Sequence, residues 1–287
     1  MISDKLRRLG DFHKAGEDYQ AARGVIFGMP MDFTTSFRPG TRFGPARIRE
    51  ASYGLEEYSF KLHKALSDKA YFDAGDVFCP FGNVEQSLAN IEEVADQVVR
   101  DGKIPLALGG EHLCTLPVLR AVHRRYPNMA VIHLDAHADT ADTLFGERFS
   151  HGTFLRRAAE EFLGARNLYQ FGIRSGTEDE WVFGREYAHL YDHDIFPHLP
   201  QVLEQLKGRP LYVTLDIDVC DPAVAPGTGT PEPGGASAKD ILEAIWALEG
   251  SNVVAFDLVE VLPALDESDR TSVLAAKLLR EAILTIL

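Results

Sequence analysis

The chain has 287 residues, 45% of them apolar and 25% charged, with 24 glycines and 15 prolines spread along its length rather than pooled. That is the composition of a globular protein long enough to bury a sizeable core. A formal charge of −14 excludes the basic stripes that non-specific nucleic-acid or anionic-membrane binding requires, and it suits a cationic ligand better than an anionic one.

The chain opens with MISDKLRRLGDFHKAGEDYQ, which is charged and lacks the apolar core of a signal peptide. No later apolar run approaches the ~20 residues of a membrane helix, so a cytoplasmic protein is expected. Short apolar runs follow at 24–30 (GVIFGMP), 105–110 (PLALGG), 130–135 (AVIHLD), 168–173 (LYQFGI), 211–218 (LYVTLDID) and 252–261 (NVVAFDLVEV). Most are apolar throughout rather than alternating, as strands of a parallel sheet covered on both faces are. Helical spacing appears between them at 85–101, 152–163, 199–207 and 237–249. Alternation of strand and helix gives an α/β fold, and with no linker in view the whole of 1–287 is expected to be one domain. Three interruptions, at 29–50, 139–153 and 221–235, are rich in Gly, Pro, Thr or Asp, and long loops of this kind in a compact α/β domain tend to carry function. Cys79, Cys114 and Cys220 are odd in number and far apart, which indicates neither a disulfide framework nor a cysteine zinc site and leaves a reducing compartment as the default.

The strand ends hold the chemistry. In VIHLDAHADT, Asp135, His137 and Asp139 alternate with alanines, and they project to one side if strand geometry persists past Leu134. LYVTLDID repeats the device with Asp216 and Asp218, and LALGGEH supplies His112 after two glycines that permit a tight turn. Taken singly, each has an ordinary structural explanation as a cap, a turn or a hydrogen-bonded core histidine. Together they put four carboxylates and two imidazoles beyond the carboxyl ends of three strands, where open parallel sheets bind ligands. Clustered buried carboxylates are costly unless cations compensate them. Oxygen-rich ligands with a minority of imidazole favour Mn²⁺, with Fe²⁺, Co²⁺ or Zn²⁺ still open, and two ions roughly 3.5–4 Å apart use the whole set. His133, inside its apolar run, reads as core rather than ligand. No P-loop, dinucleotide fingerprint, H-E-x-x-H or G-x-S-x-G is present.

These residues resemble the ureohydrolase family, the arginase and agmatinase group of binuclear manganese hydrolases. GGEH, DAHADT, SHGT, DIDVCDPAVAPGTGTPEPGG and DLVEVLP match its signature blocks in order over roughly residues 24 to 285, and GTGTPEPGG, SHGTFLRRA and FRPGTRFGPARIRE look like the agmatinase branch. The resemblance implies a single-domain three-layer α/β/α fold with a mostly parallel central sheet, of the arginase and deacetylase type. It implies two Mn²⁺ ions, one held by His112, Asp135, Asp139 and Asp216, the other by Asp135, His137, Asp216 and Asp218. It further implies that Asp139 passes a proton to the leaving amine, that His151 exchanges protons with solvent, and that Glu260 pairs with the substrate guanidinium. Without the full pattern, His151 would read as a loop imidazole and Glu260 as a capping carboxylate.

The implied reaction is hydrolysis of agmatine to putrescine and urea, a step of polyamine synthesis, by a homo-oligomer, trimer or hexamer. The alternative is a guanidino-acid hydrolase acting on guanidinobutyrate, guanidinopropionate or a proclavaminate-type substrate. More distant are a zinc amide deacetylase and a metal-binding scaffold without turnover. Asp142 and Glu147 suit a cationic substrate tail, whereas Arg148 suits a carboxylate. Two departures from common family spelling, Glu111 where Asp is frequent and no proline after Thr153, bear on the loop near His151.

Overall fold

The computed structural model describes residues 5–7 and 10–287. Residues 1–4 and 8–9, part of the stretch read for a signal peptide, lie outside the described residues. In chain order the strands are β1 (Leu6–Arg7), β2 (Gly24–Met29), β3 (Tyr58–Ser59), β4 (Lys64–Ala65), β5 (Tyr71–Val77), β6 (Ile104–Gly109), β7 (Ala130–Leu134), β8 (Leu168–Ile173), β9 (His189–Asp192), β10 (Leu211–Asp216) and β11 (Val253–Val259). The helices are α1 (Gly44–Ser52), α2 (Val84–Arg100), α3 (Thr115–Arg125), α4 (Phe154–Ala158), α5 (Glu178–Glu186), α6 (His198–Gln205), α7 (Ala238–Ala247) and α8 (Arg270–Ile286).

Nine strands form one sheet in the order β1-β5-β2-β6-β11-β10-β7-β8-β9. Every pairing is parallel except that of β1 with β5, while β3 and β4 pair apart from it. Successive side chains point to opposite faces. Ile26, Leu106, Ile132, Val213 and Phe256 therefore pack with α1, α6, α7 and α8, and Val25, Phe27, Val131, Tyr212 and Ala255 with α2, α3 and α4. Both faces are covered, so the α/β expectation holds and the strand runs look apolar throughout. The helices start at side-chain caps: Asn83 accepts from Gln86 N–H ahead of α2, and Ser237 with Asp240 forms a capping box ahead of α7.

The segment expected as loop at 29–50 contains α1, and the strand expected over 211–218 stops at Asp216, where 217–219 turn as a 3-10 helix. Elements absent from the sequence reading are β1, β3, β4, β5, β9, α1, α3, α5 and α8. Among the described residues, no helix is long and apolar enough to cross a membrane. The four central neighbours β6, β11, β10 and β7 release their chains at one edge of the sheet, and all the candidate metal ligands follow from three of them.

Candidate metal centre

β6 ends at Gly109, and Gly110 and Glu111 lead into the turn that begins at His112. The glycines are needed for close approach rather than for a tight turn, since neither has positive φ. A Cβ on Gly109 would lie 2.4 Å from Val259 Cγ1, and one on Gly110 2.1 Å from the Met31 carbonyl. After β7 the strand geometry does not persist, because the strand stops at Leu134 and Asp139 has φ 54°. Asp135, His137 and Asp139 meet through this turn, not through the pleat. Three carboxylates each spend one oxygen on the backbone: Asp135 Oδ1 accepts from His137 N–H at 2.6 Å, Asp216 Oδ1 from Asp218 N–H at 2.8 Å, and Asp218 Oδ1 from Ala136 N–H at 3.2 Å.

Their other oxygens converge. His112 Nδ1 lies 3.0 Å from Asp135 Oδ2 and 3.2 Å from both Asp139 Oδ2 and Asp216 Oδ2. His137 Nδ1 lies 3.0 Å from Asp218 Oδ2 and 3.6 Å from Asp135 Oδ1. Two groups are compact enough to hold an ion, His112 with His133, Asp135 and Asp139, and Asp135 with His137 and Asp218. Asp135 is common to both, and Asp216 joins the first through its approach to His112. The six sequence-derived ligand candidates are thus brought together, all buried except His137, whose side chain is 26% exposed.

The histidine tautomer tests whether the cluster suits a cation. His112 Nε2 lies 2.8 Å from Thr214 Oγ1, and that hydroxyl donates to Asp257 Oδ1 at 2.6 Å. Nε2 therefore carries the ring proton, and Nδ1 presents a lone pair to three carboxylate oxygens. His112 Nδ1 and Asp218 Oδ2 are buried without a hydrogen-bond partner. A lone pair facing three anionic oxygens is repulsive unless positive charge stands between them, and either a proton on Nδ1 or a metal ion supplies it.

Ionisation follows the same logic. Burial opposes a charge on His112, but Asp135, Asp139 and Asp216 outweigh it and raise its pKa well above the ordinary value. Burial and the neighbouring Asp135 push Asp139 up to about 7, and burial with Asp218 and Asp135 pushes Asp216 well up. Asp135 goes the other way: burial opposes its charge, but His133, His112 and His137 prevail and hold it well below the usual range.

His133 is fully buried; its Nδ1 lies 3.1 Å from Gln170 Nε2 and its Nε2 2.7 Å from Asp135 Oδ2. With both nitrogens occupied it orients Asp135, in keeping with the core reading, although it is near enough to be grouped with the ligands. Glu260 is 4% exposed with φ 64°, and its Oε1 accepts from His112 N–H at 2.8 Å, so the capping contact exists beside the cluster. Burial and then Glu111 push its carboxyl well up. His151 is half-buried at the rim, where Ser36 N–H donates to its Nε2 at 3.2 Å and its own N–H donates to Thr34 Oγ1 at 3.1 Å. Burial, with the nearby His137 and His112, lowers its pKa to about 4.

Asp142 and Arg148 are engaged elsewhere: Asp142 Oδ1 accepts from Arg157 Nη2 at 2.8 Å, and Arg148 lies 3.6 Å from Asp142 and 3.8 Å from Glu160. Glu147 lines a cavity of about 850 Å³ together with Phe33, Thr34, Leu144 and Ser150. Sequence reasoning missed Thr214, Asp257, Gln170, Thr34 and Ser36. Asp257 and Gln170 did carry a signal, as polar residues inside apolar runs, whereas Thr34 and Ser36 look like any polar loop.

A family model described as the arginase family matches residues 22–285. An agmatinase of Halalkalibacterium halodurans is 50% identical over 276 residues, 95% of this chain and 95% of its own. A guanidinobutyrase of Pseudomonas aeruginosa is 37% identical over 277 residues, 93% of this chain and 87% of its own. Among solved structures, the agmatine ureohydrolase of Thermoplasma volcanium superposes with a TM-score of 0.88 at 34% identity, covering 98% of this chain and 95% of that one.

Proposed function

The chain belongs to the arginase family, and from that premise we propose that it hydrolyses the guanidinium C–N bond of agmatine to give putrescine and urea. The geometric observation that carries the hydrolytic reading is the His112 Nδ1 lone pair set among Asp135, Asp139 and Asp216. The choice of agmatine rests on the 50% identity to an agmatinase across 95% of both chains.

In this proposal two Mn²⁺ ions would be held among His112, Asp135, His137, Asp139, Asp216 and Asp218. Such ions supply Lewis acidity and lower the pKa of a bound water into the neutral range. The remaining work falls to the chain. Glu260, whose ionisation burial disfavours, regains it by pairing with the substrate guanidinium in a charge-assisted contact. Asp139, which would hold an ion beside the bound water, would take the proton that the water sheds and pass it to the leaving amine. His151, half-buried at the rim, exchanges that proton with solvent.

A guanidino-acid substrate is the second reading, favoured by the guanidinobutyrase relative and by Arg38. That side chain donates from Nε to the Gly229 carbonyl at 3.3 Å, and Gly229 borders the Glu260 carboxylate. Arg38, unlike Arg148, which pairs with Asp142 and Glu160, is thus held beside a residue that borders Glu260. We further read residues 1–287 as one domain acting in the cytoplasm as a homo-oligomer. Light scattering tests the assembly.

The deciding experiment measures urea released by Mn²⁺-loaded protein from agmatine, arginine, 4-guanidinobutyrate and 3-guanidinopropionate. The highest kcat/KM on agmatine is expected. A guanidino acid winning would transfer the proposal to the second reading, and no urea from any of them would overturn both.

A further inference from the structure

We propose that Glu111 is a positioning residue for His151, acting through Thr34 and the loop 32–40; the inference rests on the role given to His151 above. Glu111 is fully buried and immediately precedes His112. Its Oε2 accepts the Thr34 N–H at 2.8 Å. The loop is closed at its base by Asp32, which accepts from Gly40 N–H at 2.7 Å, but at its tip Ser36 is exposed and Phe37 is 65% exposed. Packing therefore does little to hold the tip, and the Glu111 contact fixes the point from which it extends.

From that point the loop grips His151 twice. Thr34 Oγ1 accepts the His151 N–H at 3.1 Å, and Ser36 presents its N–H at 3.2 Å and its Oγ at 3.0 Å to Nε2. A backbone N–H only donates, so Nε2 must offer a lone pair and the neutral ring must carry its proton on Nδ1. The loop thus sets the tautomer of His151 as well as its place. Glutamate has the reach for this. An aspartate at 111 would be shorter by one C–C bond, about 1.5 Å, which takes its oxygen out of hydrogen-bond range of Thr34.

The test begins on metal-free protein labelled with ¹⁵N-histidine, in which the ring resonances of His151 are identified by their loss in His151→Ala. The wild type is expected to show the Nδ1–H tautomer. Glu111→Ala is expected to shift His151 toward the Nε2–H form, and Glu111→Asp, whose oxygen falls short of the Thr34 N–H, should do the same and keeps the test available if Glu111→Ala does not fold. In the Mn²⁺-loaded enzyme, kcat on agmatine should fall about 10- to 100-fold in Glu111→Ala, the scale of a misplaced proton-transfer group, with KM nearly unchanged. Glu111→Gln should keep wild-type values because its amide oxygen still accepts the Thr34 N–H. An unchanged tautomer in both Glu111→Ala and Glu111→Asp overturns the proposal, and so does Glu111→Gln failing as badly as Glu111→Ala. A wild type with no agmatine turnover would count against the proposed function, while the ring spectra would still decide the role of Glu111.

Discussion

The Thr214 hydroxyl lies between two groups of opposite need. It donates to Asp257 Oδ1 at 2.6 Å, so its oxygen is free to receive the proton on His112 Nε2 at 2.8 Å, and the lone pair that faces the carboxylates is fixed from behind. In Thr214→Val the ring loses that acceptor, and its two tautomers become closer in energy. Mn²⁺ affinity should then weaken roughly 10- to 100-fold, the usual cost of losing a hydrogen bond behind a histidine ligand, as read by competition with a chelating dye. Unaltered affinity would mean that the tautomer is set by the metal itself. At this scale the sequence is legible where charge is out of place: Asp-x-His-x-Asp and Asp-x-Asp closing apolar runs stand out because buried carboxylates demand compensation. Thr214 was not legible, since a threonine in a buried strand fits that strand whether or not its hydroxyl has work to do.

Among the elements, β5 shows why part of the fold escaped the sequence. Its run YFDAGDV holds Asp73 and Asp76, which spoil the apolar pattern, yet all seven residues are buried. The compensation comes from α1, where Arg49 binds Asp73 with Nε at 2.8 Å and Nη2 at 3.0 Å and Asp76 with Nη1 at 2.6 Å. A pattern read one segment at a time cannot see a partner more than twenty residues away. Arg49→Met would strand two buried carboxylates and should cost about 3–5 kcal/mol, measured by urea unfolding; a loss below about 1 kcal/mol would show that the carboxylates find other partners. The long helix α8 gives a pH-dependent counterpart. Glu281 is fully buried and accepts from Ser59 Oγ at 2.7 Å and Trp246 Nε1 at 2.8 Å, besides pairing with Arg280. Burial alone would raise its pKa, but Arg280, Trp246 and Ser59 together lower it. The folded carboxyl thus binds its proton less readily than the unfolded one, so its stabilisation is complete above the unfolded value of about 4.3 and is lost as pH falls through the lower folded value. Glu281→Gln should cost about 1.5–3 kcal/mol at pH 7, with the gap from wild type closing in strong acid. A gap of equal size at pH 7 and pH 3 would assign the effect to packing instead.

Across the whole molecule, an acidic chain of net charge −14 concentrates four aspartates at the centre of its own sheet, where self-repulsion is least screened. The parallel sheet was readable because both of its faces are covered by helices, and its topology explains why residues from 112 to 218 reach one point: β6, β11, β10 and β7 are adjacent in space although far apart in sequence. An architecture that forces carboxylates together makes metal occupancy part of its folding energy, since any ion bound only by the native state stabilises it in proportion to the logarithm of its concentration. Mn²⁺ at about 100 times its dissociation constant adds about 2.7 kcal/mol for one site, and at roughly 2–4 °C per kcal/mol for chains of this size the Tm should fall by about 5–10 °C when a chelator strips the protein. Calorimetry across a Mn²⁺ titration measures this directly, and the shift should continue to grow above saturation of turnover because mass action has no plateau there. A Tm indifferent to Mn²⁺ would mean that the four aspartates are neutralised by protons and by His112 alone, and the cluster would lose its assignment as a metal centre.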